Sequence, residues 1–140
     1  GECEKKSCNN IDILSSEPRD TELEKNMKKW QSFNICNYSI TNLIGCNCTE
    51  EYSTSKTLKI KNGTLIYVDD NSYPSEELMN YKSINEMFEF INELYSMKTH
   101  ILKVSYDEKY GFPTYLYVDY EEMMVDEEIS YEFSKLTPFK

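Results

Sequence analysis

Residues 83–95 carry the pattern that most narrows the fold. Ser83 stands three residues before Glu86, the spacing of a capping box in which each side chain satisfies a backbone N–H at the helix start. Ile84, Met87, Phe88, Ile91, Leu94 and Tyr95 then fall on one helical stripe, while Asn85, Glu89, Asn92 and Glu93 line the other side. A helix with one wide apolar face must bury it against a second layer. The chain on either side supplies candidate strands for that layer.

Leu58 and Ile60 alternate with Lys59 and Lys61, and Asn62-Gly63 follows at once. Both positions of a type I′ turn need positive φ, so this dipeptide predicts a tight hairpin with 64–69 as the return strand. Segments 100–106, 113–120 and 128–136 alternate in the same way. Leu116 and Val118 share one face of their strand, and Ile129, Tyr131 and Phe133 share one face of theirs. A further strand is expected over 33–43, and a polar loop over 70–82. A first helix is expected from Thr21 to about Gln31, capped by Thr21 with Glu24, with Leu23, Met27 and Trp30 inward. Lys25, Lys28 and Lys29 fall on its solvated side.

The predicted order is α-β-β-β-α-β-β-β. It describes an α+β two-layer sandwich, an antiparallel sheet with helices on one face, and its repeated helix-then-meander pattern suggests an internal duplication. Residues 20–140 form one domain, and residues 1–19 read as a leader or tether.

Composition bounds the partners. The formal net charge of -10 opposes nucleic acid phosphates and anionic membranes. No apolar run approaches the ~20 residues of a transmembrane span. Five cysteines in a short Tyr-rich chain point to an oxidising compartment. Cys46 and Cys48 are expected to close a tight ring and Cys3 and Cys8 a small loop. Cys36 is then left as a buried thiol. An exported protein with an upstream lipid anchor fits such a tether.

Catalytic and metal signatures are weak. His100 is the sole His, and nothing in the sequence places a nucleophile beside it. Cys46-x-Cys48 is one residue short of the usual zinc spacing. The acidic loops 69–71 and 121–128 lack the spacing and Gly of an EF-hand. No catalytic residue, metal or cofactor is therefore assigned. The remaining candidates are Tyr115 and Tyr117, which face away from Leu116 and Val118, with Lys103 and Ser105 on the neighbouring strand. An exposed aromatic patch of this kind can bind a protein or a glycan.

Several positions also carry a resemblance. They are Trp30, Tyr38, Cys46-x-Cys48 before Glu50, Glu51 and Tyr52, and Val104-x-Tyr106-Asp107-x-x-Tyr110-Gly111-x-Pro113. Val118-Asp119, Asp126-Glu127 and Tyr131 complete the set. Over about residues 27–136 the chain resembles an uncharacterised bacterial family of small exported proteins and lipoproteins, a domain of unknown function. The resemblance implies a cell-envelope setting and supplies no activity. Cys3, Cys8 and Cys36 are additional to its pattern. The Tyr-Asp-x-x-Tyr-Gly-x-Pro piece has a turn explanation of its own. Gly111 permits positive φ, Pro113 suits a strand start, Asp107 accepts turn N–H groups, and Tyr106 and Tyr110 cover the turn.

The expected function is a non-enzymatic, extracytoplasmic binding domain that engages an envelope protein or glycan through its open sheet face. The alternative is a structural accessory lipoprotein domain with no ligand. A hydrolase-type enzyme built on His100 or a carboxylate pair ranks last.

Overall fold

A computed structural model of the chain describes residues 8, 9, 11, 21–46, 54–75, 81–97, 101–119 and 128–140. Among them are α1 (Thr21–Phe33), β1 (Tyr38–Cys46), β2 (Lys56–Lys61), β3 (Thr64–Val68), β4 (Asn71–Ser72), α2 (Ile84–Ser96), β5 (Ile101–Tyr106), β6 (Pro113–Asp119) and β7 (Glu128–Pro138). The strands form one seven-stranded antiparallel sheet in the order β4-β3-β2-β1-β7-β6-β5. The architecture is α+β. The short strand β4 was not expected, and it lies inside the segment read as a polar loop. Its residues extend the β2–β3 hairpin, pairing Tyr67 with Ser72.

The local chemistry of each element explains its boundaries. Asn62 and Gly63 take φ values of 52° and 78°, as a type I′ hairpin needs. At α2, Ser83 Oγ accepts from Glu86 N–H at 3.2 Å, and Glu86 Oε1 accepts from Ser83 N–H at 2.9 Å. Tyr38 Oη accepts the N–H of Ile84 at 3.0 Å, so a strand side chain satisfies the next exposed donor of the same helix. Burial holds the Tyr38 phenol far above its ordinary pKa range, and Glu86 adds to this, although the Ile84 hydrogen bond works in the opposite sense. Helix α1 starts at Thr21 itself, so its cap position falls on residue 20, outside the described residues. Phe33 ends α1 and does not begin β1.

Cross-strand register aligns the apolar positions. Tyr38 opposes Ile60 and Ile40 opposes Leu58. Ile44 opposes Tyr131, which in turn opposes Leu116, and Leu102 opposes Val118. These residues meet the inward positions of the helices. Trp30 packs edge-on against Tyr38 at 5.5 Å and against Phe112 at 6.3 Å. Phe88 stacks on Tyr106 at 6.4 Å, and Phe90 meets Tyr131 at 5.8 Å. The core is contiguous from Leu23 to Phe133.

Asn92, placed on the polar side of α2, is buried, and two other polar residues placed on solvated helix faces make tertiary hydrogen bonds. Asn85 Oδ1 accepts from Trp30 Nε1 at 2.9 Å, because the buried indole N–H needs a partner. Lys29 Nζ donates to the Glu108 carbonyl at 2.9 Å and ties α1 to the β5–β6 turn.

The cysteine pairing differs from expectation. Cys8 bonds Cys36, with sulfurs 2.07 Å and Cα atoms 5.3 Å apart. Cys8 is therefore not paired with Cys3, and Cys36 is not a thiol. Spacing favoured the short N-terminal loop, whereas the fold carries residue 8 back against the α1–β1 corner. Cys3, the Cys46–Cys48 ring and His100 lie outside what the structure describes of these side chains.

Candidate functional site

The sheet residues out of phase with the core make the candidate surface. On β5 and β6, Lys103 opposes Tyr117 and Ser105 opposes Tyr115. Their register neighbours Leu102, Leu116 and Val118 point to the other side, and Leu116 and Val118 are fully buried. Strand β7 continues both rows, with Ser130 opposite Tyr117 and Glu132 opposite Tyr115. The structure thus brings together the three residues chosen from sequence, Lys103, Tyr115 and Tyr117. It adds Glu128, Ser130 and Glu132. Their outward alternation was readable in the sequence, but their alignment with the tyrosines needed the β6–β7 register.

The surface is polar and acceptor-rich. Tyr117 Oη donates to Glu128 Oε2 at 2.8 Å. The accepting Glu128 carboxylate, then desolvation and the charges of Glu128 and Asp119, push the Tyr117 phenol up from 10.0 to about 12. A raised acid pKa means the folded state holds the proton more tightly than the unfolded state. The contribution of this bond to stability is therefore fully present below pH 10.0 and is lost as the pH rises to about 12. Glu128→Gln is expected to lower the Tyr117 pKa towards the ordinary tyrosine value. Tyrosine-ring NMR signals followed against pH check this, and an unmoved midpoint refutes the pairing.

Lys103 is exposed beside Tyr117, while both tyrosines are half-buried. Phenol rings with one free edge, hydroxyls and carboxylates make a surface suited to polar, ring-bearing or hydroxyl-bearing partners. Among the described residues no three His, Cys, Asp or Glu side chains cluster to hold a metal. In the Asp69-Asp70-Asn71 loop, Asp69 already uses its carboxylate. Its Oδ1 accepts Thr57 N–H at 2.8 Å and its Oδ2 lies 3.8 Å from Lys56 Nζ.

A cleft of about 580 Å³ adjoins the Ser105 end of this surface, between α1 and β5. Glu22, Lys25 and Lys29 border it from the helix, and Asp107 and Glu108 from the turn. The turn itself is as the sequence predicts in part. Asp107 Oδ2 accepts from Lys109 and Tyr110 N–H at 3.1 and 2.8 Å, and Gly111 has φ +84°. Of the two tyrosines, Tyr106 stacks on Phe88, while Tyr110 packs on Phe33 at 4.8 Å and its ring lies 4.9 Å from Lys109 Nζ of the turn.

No helix among the described residues is long and apolar enough to cross a membrane. Neither a curated protein nor a solved structure matches the chain significantly. The profile of a family of unknown function, DUF6174, matches residues 22–138, which includes every strand and helix described above apart from Thr21, the first residue of α1. The chain belongs to this family of unknown function.

Proposed function

We propose that the domain is a non-enzymatic binding module of the bacterial cell envelope, which engages an envelope protein or a glycan through Tyr115, Tyr117 and Lys103. The observation that carries this reading is the register that sets Lys103 against Tyr117 and Ser105 against Tyr115 on the side away from Leu116 and Val118. The reading takes both helices to lie on the core side of the sheet. The contacts of Trp30 with Tyr38, Phe88 with Tyr106 and Phe90 with Tyr131 support that arrangement. It leaves the tyrosine side open, as one-sided antiparallel sheets commonly are.

One covered face has a consequence for the element order. The meanders β1–β3 and β5–β7 cross the sheet in the same order, yet central β1 and β7 run antiparallel. A rotation that superposed one meander on the other would turn the sheet over and move its helix to the opposite face. The reading therefore does not keep the internal duplication. The Cys8–Cys36 disulfide supports an oxidising, extracytoplasmic location, with a lipid anchor upstream as part of the same reading.

The test is the double variant Tyr115→Ala/Tyr117→Ala. Aromatic anchors at interfaces typically contribute 2 kcal/mol or more each, so capture of an envelope protein or glycan should fall at least about tenfold. Thermal unfolding should change little, because neither ring enters the core. Unchanged capture from envelope extracts removes the binding face and leaves the accessory, ligand-free domain as the better reading.

A further inference from the structure

Residues 8 and 9 lie upstream of the family match, yet they are built into the domain. Asn9 is fully buried. Three side-chain amides hold the main chain of this pair. Asn34 Oδ1 accepts from Cys8 N–H at 3.3 Å, Asn85 Nδ2 donates to the Cys8 carbonyl at 2.9 Å, and Gln31 Nε2 donates to the Asn9 carbonyl at 2.9 Å. The Asn9 amide, oriented to satisfy both neighbours, donates to the Cys8 carbonyl and accepts from Ile35 N–H, each at 3.2 Å. Asn85 is also the acceptor for the indole N–H of Trp30. The single tryptophan of the chain therefore sits one residue away from this segment.

The attachment is polar where the rest of the fold is apolar. Every fully buried hydrophobic residue among those described lies between Leu23 and Phe133. Upstream of α1, Ile11 alone among the described residues packs against that core, and it does so partly buried. Hydrogen bonds that exchange with water contribute little net attachment on their own. A covalent tie keeps the local concentration of the segment high enough to hold them. That tie is the Cys8–Cys36 disulfide. Both of its residues are half-buried.

We propose that residues 8 and 9 form a strap latched by the Cys8–Cys36 disulfide, and that a dithiol reductant releases the strap from an otherwise folded domain, uncovering Gln31, Asn34, Asn85 and the edge of Trp30. One thiolate of the dithiol attacks a cystine sulfur, the Cys8–Cys36 bond breaks, and a mixed disulfide forms. The second thiolate of the dithiol then displaces the remaining cysteine sulfur. Two electrons pass to the cystine, each cysteine takes one proton, and the dithiol leaves as a disulfide.

The experiment uses the intact protein titrated with dithiothreitol, with reduction of Cys8 and Cys36 verified by alkylation and mass mapping. On full reduction, Trp30 emission should move to longer wavelength and its quenching by acrylamide should rise several-fold. The Ile35 amide should lose its protection from hydrogen exchange, while far-UV circular dichroism and a cooperative melt persist. Reoxidation should reverse all of these, and Cys36→Ser should show them without reductant. Two results overturn the proposal. Unchanged quenching after complete reduction means the strap holds without its latch. Loss of the circular dichroism signal means the disulfide supports the whole fold. Neither readout involves Tyr115 or Tyr117, so the outcome is independent of the sheet-face reading.

Discussion

Trp30→Ala should be the most damaging single substitution in this domain, lowering the unfolding free energy by about 3–5 kcal/mol. Three effects act together at that position. The indole is fully buried, so its removal forfeits a large apolar area and leaves a cavity. Its edge-on contacts with Tyr38 and Phe112 are lost, which separates α1 from β1 and from the start of β6. The Asn85 oxygen also loses its donor in a partly buried setting. Trp30→Phe separates these effects, because it keeps much of the volume and removes only the N–H. That variant should cost less, about 1–3 kcal/mol, mainly from the unpaired amide oxygen. Urea unfolding followed by circular dichroism measures both. A loss below about 1 kcal/mol for the alanine variant would show that the helix is not seated on Tyr38 as described.

Gly111→Ala should cost about 2–4 kcal/mol, far more than an ordinary turn substitution. The residue has φ +84°, where a side chain is strained. A Cβ there would also lie 2.5 Å from the Asn26 carbonyl oxygen and 3.0 Å from Lys29 Cβ, both on α1. Backbone cannot move aside as a flexible side chain can, so α1 would have to lift from the turn. Gly111→Asn distinguishes the two causes, since Asn tolerates positive φ better than Ala. If close approach dominates, Asn should be as damaging as Ala. If φ dominates, Asn should recover part of the loss. Denaturant midpoints for the pair decide this, and a cost under about 0.5 kcal/mol for both would mean the turn does not pack on α1.

These two positions also show where sequence reasoning stops. Trp30 at the end of an apolar stripe was readable as inward, because the 3.6-residue period reports which face is buried. Its partner Asn85 was not readable. On a helical wheel Asn85 belongs to the polar side, and only the packing of α1 beside α2 turns it into an acceptor. Gly111 was readable as a positive-φ turn residue. Its contact with Asn26 was not, because the sequence separation carries no distance information.

The candidate surface divides in the same way. The alternation of Tyr115, Leu116, Tyr117 and Val118 fixed which residues share a side of β6, since strand side chains repeat with period two. That Lys103 and Ser105 lie on the strand beside the tyrosines was readable in the sequence, but the pairing of Lys103 with Tyr117 depends on the register shift between Ser105 and Tyr106. The Glu128 hydrogen bond that raises the Tyr117 pKa depends on pairing β6 with β7 across an intervening loop.

Residues 83–95, by their sequence alone, determined a capped helix with one apolar face, and the flanking alternation determined strands for it to cover. Both are local consequences of backbone geometry. The tertiary structure alone decided that β1 and β7, the first and last long strands, pair at the centre of the sheet. It also decided that Cys8 reaches Cys36. Both are contacts between distant parts of the chain, and these are chosen by how whole layers fit together, which no local pattern records.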